Sequence, residues 1–386
     1  MKDRKILIPF ILITATTFIL NMSMQMSIPT FSVYLKSLNF PLGFIGAASL
    51  AVALSAMFFR PVSALLNRKI GSIETGLIGA SLYFVAFTMF LLFKNPGIVV
   101  LGRIIQGVGM GLVITTMGTI ISQIVPHEEL LSGMNIYSLF AAAAGAIGPF
   151  LGMYLIADGS FIRLFITALG FVTLGILILA TLRFKVHLPL PEGLHTEKSG
   201  IPLLKSKALF PSSLAFTSAF VYAGLASYLA IYGIEVGIPN VGFFFLYGFI
   251  GLIISRIVMN RIMKHVHLSL VLILFGMGYG ILLILIILFR TVWAWTLLGV
   301  LFGFVFNFIG TILNTMAVKN VPMSDKATAN AMLFVGLDSG FFLGGLIWGQ
   351  VAVRFSTSSI FMFSAILITC AMWIGAWVVK EKQIKF

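Results

Sequence analysis

Apolar stretches of about 20 residues recur from one end of this 386-residue chain to the other, and each is long enough to cross a hydrocarbon layer of roughly 30 Å. Twelve are legible, near residues 6–29, 42–65, 73–93, 98–123, 133–156, 161–182, 208–233, 242–259, 268–289, 293–317, 328–352 and 359–379. A backbone inside a bilayer has no water to bond, so stretches of this length must satisfy their own amides as helices. Hydrophobic residues make up 60% of the chain and charged residues only 9%, a balance that a soluble globule cannot cover with polar surface. The expected fold class is therefore an all-α membrane protein of twelve transmembrane helices. The first stretch does not read as a signal peptide, because it is long, lacks a small-residue cleavage site and is followed by eleven more.

A formal net charge of +14 invites a nucleic-acid reading, but its distribution points elsewhere. With the N-terminus inside, nineteen of the 25 Lys and Arg residues fall on the cytoplasmic side and five outside, while Arg103 lies within a span. The positive-inside rule then places both termini in the cytoplasm of a multi-pass plasma-membrane protein. The basic residues meet anionic lipid headgroups, and no nucleic-acid partner is expected. Cys370 is the one cysteine, so neither a disulfide framework nor a Cys-based metal site is expected.

Only one connection is long and polar, 183–207, with Pro189, Pro191, Gly193, Gly200 and Pro202. It reads as a cytoplasmic linker between a six-helix bundle over 1–182 and a second over 208–386. The halves align at a constant offset of 196: Arg60 with Arg256, Arg68 with Lys264, Gly107 with Gly303, Pro126 with Pro322, Gly148 with Gly344. An even number of spans per half keeps both halves in one orientation. They read as parallel repeats about an axis along the membrane normal, an arrangement in which solute binds near the midplane.

Two local patterns sharpen this. "LGRIIQGVGMG" in the fourth span carries Arg103, Gln106 and Gly107, and "GAIGPFLG" in the fifth carries Gly145, Gly148, Pro149 and Gly152. Proline frees a backbone carbonyl and bends a helix, and the glycines admit a close neighbour. The first resembles the Arg-x-x-Gln-Gly pattern of the major facilitator superfamily. The second resembles the antiporter motif of its drug–proton exporters. The resemblance covers essentially the whole chain and implies the major facilitator fold, two pseudo-symmetric six-helix bundles. The connection between the second and third spans departs from the family pattern. "ALLNRKIGSI", from Ala64 to Ile73, has Ala64 at the usual glycine and Arg68 at the usual aspartate, keeping Lys69 and Gly71. The connection after the fourth span carries Glu128 and Glu129 where relatives carry arginines. With Arg60, these residues are candidates for a cytoplasmic gate. A salt bridge of reversed polarity and relaxed constraint both account for the exchange.

Asp338, in "FVGLDSGFFLGG" of the eleventh span, stands about 12 residues from Lys326, roughly 18 Å deep. An ionised carboxylate there costs several kcal/mol unless paired or hydrated, which suits a group that takes up and releases a proton. The alternative is an internal hydrogen bond that tightens a helix already lined by Gly336, Gly340 and Gly344. Arg103 lies about six residues, roughly 9 Å, below the outer end of its span. The resemblance implies a part in proton coupling or in bracing the helix, against a stem that snorkels to the interface.

Polar residues at helical spacing mark Thr17, Asn21 and Gln25 in the first span, Thr217, Gly224 and Tyr228 in the seventh, and Phe304, Asn307, Thr311 and Asn314 in the tenth. Amides are costly in lipid and should face inward. Asn21, Gln25, Gln106, Tyr222, Asn307 and Asn314 are the candidate substrate contacts, with interhelical hydrogen bonding as the alternative. A site of amides and aromatics suits a small amphipathic or hydrophobic solute more than a phosphate-bearing one.

A Walker-type phosphate loop is absent, and "GVGMG" lies within a span with no strand before it, so neither ATP nor a dinucleotide cofactor is expected. One deep carboxylate and no histidine in any span leave no acid–base or metal constellation for an enzyme. The expected protein is a monomeric, cofactor-free secondary transporter. Its partners are protons, lipid and a small solute, and by resemblance it exports. Uptake of a sugar or nutrient, or export of a metallophore or endogenous metabolite, is the alternative.

Overall fold

The computed structural model describes residues 4–126, 129–185, 206–239, 241–319 and 326–381. Twelve helices account for nearly all of them: α1 Arg4–Ser37, α2 Leu42–Ile70, α3 Ser72–Leu92, α4 Pro96–Ile124, α5 Leu130–Leu155, α6 Phe161–Lys185, α7 Ser206–Glu235, α8 Gly242–His265, α9 Leu268–Leu288, α10 Val292–Lys319, α11 Lys326–Arg354 and α12 Thr357–Glu381. Each contains a span long and apolar enough to cross a membrane, so all twelve expected spans are present. The described residues contain no strand. Of the expected linker, Arg183 to Lys185 continue α6 and Ser206 begins α7. Residues 186–205 lie outside the described residues, as do Pro322 and Glu128.

Local chemistry sets several helix ends. Asn95 caps α4, its side chain accepting from the Gly97 amide at 2.9 Å, and Pro96 takes the first helical position, where a missing N–H costs nothing. Gly71 links α2 to α3 at φ 99°, a left-handed geometry that a side chain resists. Within the spans, hydroxyls turn back on their own helix. In α1, Thr16, Thr17 and Thr30 donate to the carbonyl four residues earlier and Ser23 and Ser27 to the one three earlier, at 2.6–2.9 Å.

By their contacts the residues form two compact units. The first holds α1 as far as Tyr34, α2 from Ala48, and α3 to α6. The second holds Leu35–Ala47 with α7 to α12. The tip of the first hairpin thus groups with the second unit, whereas a division by span number puts it in the first half.

Small residues set the helix contacts within each unit. In the first, a methyl on Gly107 would strike the Val52 carbonyl of α2, and one on Gly111 would lie 2.6 Å from the Ala56 carbonyl. In the second, a methyl on Gly303 would strike the Gly248 carbonyl of α8. Val52 and Gly248, like Gly107 and Gly303, are 196 positions apart, so the sequence repeat is also a repeat of backbone contacts. The α7–α11 seam runs along Gly336, Gly340 and Gly344, which meet the carbonyls of Ser212, Phe216 and Phe220. Trp348 closes it by donating its indole N–H to the Phe220 carbonyl at 2.8 Å.

Candidate functional site

The first unit brings Arg103 and Gln106 together. They lie three apart on one face of α4, the spacing at which helical side chains meet, and the Arg103 guanidinium donates to the Gln106 carbonyl at 2.8 Å. The Gln106 amide in turn donates to the Ser27 hydroxyl of α1 at 3.2 Å. Gln106 is fully buried and Arg103 is 4% exposed. The guanidinium carbon sits 3.3 Å from the centre of the Phe31 ring and 5.8 Å from that of Phe90. Snorkelling to the interface is therefore overturned: the side chain folds inward over α1, where aromatic faces and an amide surround its charge. Among the described residues no carboxylate pairs with it. Its Nε is buried without a hydrogen-bond partner, so the cation is held mainly by ring faces.

The "GAIGPFLG" segment packs on α1 below this cluster. Methyls on Gly145, Gly148 and Gly152 would lie 3.3 Å from the Gln25 amide nitrogen, 2.7 Å from the Gln25 Cβ and 2.5 Å from the Met26 carbonyl. Gln25, a candidate solute contact, is thus pressed against the glycine face of α5. Pro149 lies inside α5 and leaves the Gly145 carbonyl without its helical donor. Asn21, one turn earlier on α1, is half-buried.

At the cytoplasmic end of α2, Arg68 is half-buried and Lys69 exposed. Gly71 then turns the chain into α3, and Glu129 stands at the N-terminal cap of α5. Arg60 lies one helical turn past Ala56, beside Gly111 of α4. Two neighbours here have no signature in the sequence. Asn67, 2% exposed, accepts from the Thr116 hydroxyl of α4 at 3.1 Å. Glu74 in the first turn of α3 pairs with Arg183 of α6 at 3.3 Å.

In the second unit, Asp338 is half-buried on α11. Gly336 and Gly340 face α7, and two residues turn a helix by roughly 200°. Asp338 therefore lies on the side of α11 turned from the glycines that meet α7. Tyr222 of α7 stacks on Phe306 of α10 at 4.5 Å and leans on Phe341 of α11 at 6.1 Å. Tyr279 of α9 meets Phe302 and Phe306 edge-on at 5.2 and 6.1 Å, and its buried hydroxyl has no hydrogen-bond partner. Asn307 turns its amide onto the Gly303 carbonyl of its own helix at 2.9 Å. Asn314, two turns on, is exposed beside exposed Thr311.

The expected α7 stripe is corrected. Gly224 lies beneath Trp348 and Ile360, and Tyr228 is fully buried. The cause is that α7 is the most enclosed of the twelve spans, with 83% of its most apolar stretch buried. Spacing finds a helix face but not what covers it. Ser27, Phe31, Asn67 and Tyr279 were missed because their partners lie on other helices, 49 to 79 residues away for Thr116–Asn67 and Gln106–Ser27.

Comparison with known proteins bears on the same residues. The Major Facilitator Superfamily pattern matches residues 13–336. The quinolone resistance protein NorA of Staphylococcus aureus is 28% identical over 138 residues, which is 36% of this chain and 36% of NorA. The alignment thus spans about a third of that relative's length. The uncharacterized MFS-type transporter MJ1560 of Methanocaldococcus jannaschii is 24% identical over 383 residues, 91% of this chain and 93% of the relative. Among solved structures, the nucleoside transporter NupG superposes with a TM-score of 0.74 at 16% identity, covering 96% of this chain and 99% of its own. A bacterial homologue of the human lysosomal transporter Spinster gives 0.75 at 13%, covering 99% and 98%. At such identities the likeness shows the fold alone.

Proposed function

The chain belongs to the Major Facilitator Superfamily, as a multi-pass membrane transporter rather than an enzyme, and from that premise we propose that it couples proton entry to efflux of small amphipathic or hydrophobic solutes across the plasma membrane. Asp338 carries the reading. It is a half-buried acid well inside α11, on the side turned from the α7 seam. A carboxylate kept at that depth is expensive, and reversible protonation gives it a use. Proton uptake neutralises the group and release restores its charge, so two conformations that differ in its solvation differ in their affinity for the proton.

The amphipathic solute class rests on Gln25, Asn21, Asn307 and Asn314 as sparse polar groups and on Tyr222 with Phe306 and Phe341 as an aromatic wall. The stretch similar to NorA, whose name records quinolone resistance, favours efflux. Arg103 is the fixed cation that ties α4 to α1 through Gln106 and Ser27. Helix α5, which carries Pro149 and is pressed on Gln25, transmits movement to that face. The positive-inside balance supports a cytoplasmic position for both termini.

The test is proton movement in inverted vesicles with a preset pH gradient, with ethidium, common antibiotics and sugars as added solutes, comparing wild type with Asp338→Asn. Dissipation of the gradient by a solute in wild type and not in the variant is the expected result. Equal responses would remove Asp338 from coupling. Proton movement of the opposite direction would make the protein an uptake symporter.

A further inference from the structure

The C-terminal half of α10 reverses the usual order of a membrane helix. Its large apolar side chains Phe308, Ile309, Ile312, Leu313 and Met316 are all buried. The exposed positions among them are Gly310, Thr311 and Asn314, and a methyl on Gly310 would meet nothing within 4 Å. A face turned to lipid exposes the opposite kind of side chain, as α12 does with Ile366, Trp373, Ile374 and Trp377. The hydroxyls on this face of α10 are also oriented. Thr311 donates to the Asn307 carbonyl and Thr315 to the Thr311 carbonyl, both at 2.9 Å. One turn earlier Asn307 gives an amide proton to the Gly303 carbonyl at the same distance. A hydroxyl has a single proton, so one spent on the backbone leaves only lone pairs for a solute. Helix α4 repeats the device 196 positions earlier. There Thr115 donates to the Gly111 carbonyl and Thr119 to the Thr115 carbonyl, both at 3.0 Å, while Leu112, Val113, Met117, Ile120 and Ile121 are buried.

We infer that the threonine ladder of α10 is a donor-selecting contact, which holds solutes by their N–H and O–H groups and discriminates against solutes of equal charge that have none. The inference deepens the small-solute transport reading and rests on it. Threonine hydroxyls bonded back to their own helix are tolerated against lipid, so they alone would not show what this face meets. Asn314 decides it, because an exposed primary amide has no such local remedy in hydrocarbon. The face is therefore wet, and a solute that reaches it meets oxygens in a row. Successive steps of the ladder lie roughly 6 Å apart, four residues at 1.5 Å each. A solute N–H completes such an oxygen, whereas a solute acceptor sets lone pair against lone pair. Turning a hydroxyl round to serve that acceptor breaks the bond it already makes. The same back-bonds in α4 show that the orientation is set within each helix rather than by a neighbour. Helix α4 has Gly118 at the position equivalent to Asn314, so α10 carries the fuller version.

The experiment uses the full chain purified in detergent and two monovalent cations as probes. Ethidium carries aromatic amines, and tetraphenylphosphonium carries no N–H or O–H. Equilibrium dialysis gives the dissociation constant of each. Thr311→Val with Thr315→Val, which keeps the shape and removes the hydroxyls, should weaken ethidium about three- to tenfold and leave tetraphenylphosphonium unchanged. Thr311→Ser with Thr315→Ser, which keeps the hydroxyls, should bind both probes as wild type does. Equal loss for both probes, no loss for either, or a wild type that binds neither would overturn the selection. A second arm needs no solute. Cys370 is exposed and is first replaced by serine. Thr311→Cys and Asn314→Cys in that background should then react in liposomes with a charged, water-borne methanethiosulfonate reagent. Failure of both to react would set the face against lipid and overturn the inference. If ethidium binds with the expected selection yet moves no protons in vesicles, the efflux reading fails and the ladder stands.

Discussion

Arg103 is held less by charge than by shape. A flat guanidinium lies on Phe31 while its edge reaches Gln106, an arrangement that an ammonium cannot copy. Arg103→Lys should therefore lower the melting temperature of the detergent-purified protein by an amount equivalent to about 1–3 kcal/mol, and Gln106→Leu, which strands the guanidinium, by a similar amount. Equal melting temperatures for wild type and Arg103→Lys would show that the ring contact holds nothing. Glycines divide in the same residue-by-residue way. Gly340→Val drives a side chain into the Phe216 carbonyl, whereas a methyl on Gly310 meets nothing within 4 Å. The first should cost about 1–3 kcal/mol. Gly310→Ala should be neutral or stabilising by up to about 1 kcal/mol, from helix propensity alone. At this scale the sequence shows Arg103 next to Gln106, because three residues make one helical face. It hides Ser27 and Phe31, which reach the same spot from another helix, and it places Tyr228 at the spacing of a polar face without showing that the fold buries it.

Elements were easier to read than their neighbours. Each span announces itself because a helix in lipid needs a run of apolar side chains whatever it packs against, and α6 and α7 differ from expectation only in running a few residues into the presumed linker. What an element does needs its contacts. The proline inside α5 gains meaning from Gly145, Gly148 and Gly152 lying on Gln25 and Met26, so that flexing at the unpaired Gly145 carbonyl would move a candidate solute contact. Pro149→Ala returns a donor to the Gly145 carbonyl and should keep or raise thermal stability while slowing ethidium movement in vesicles. An unaltered rate would deny the flexing a role. Gly148→Val, by contrast, should lose stability outright, because its Cβ has only 2.7 Å to the Gln25 Cβ.

For the whole molecule, the repeat and the orientation both come from counting along the chain, since an offset of 196 and a bias of basic residues are properties of order rather than of contact. The orientation is checked directly: green fluorescent protein fused to the C-terminus should glow and alkaline phosphatase fused there should be inactive, with the reverse pattern refuting a cytoplasmic end. The grouping of Leu35–Ala47 with the second unit had no such signal, because Lys36 finds Glu235 across 199 residues. The matching seams of the two units carry a further consequence. Where one unit sets Gly107 on Val52 and the other Gly303 on Gly248, the shared design of two duplicated halves persists, since backbone against backbone tolerates no side chain. The deep charges lie where the duplicates have drifted apart. The counterpart of Arg103 is Gly299, and that of Asp338 is Ala142. The framework of the two halves thus keeps a symmetry that its deep ionisable groups do not share, with a guanidinium in one half and a carboxyl group in the other.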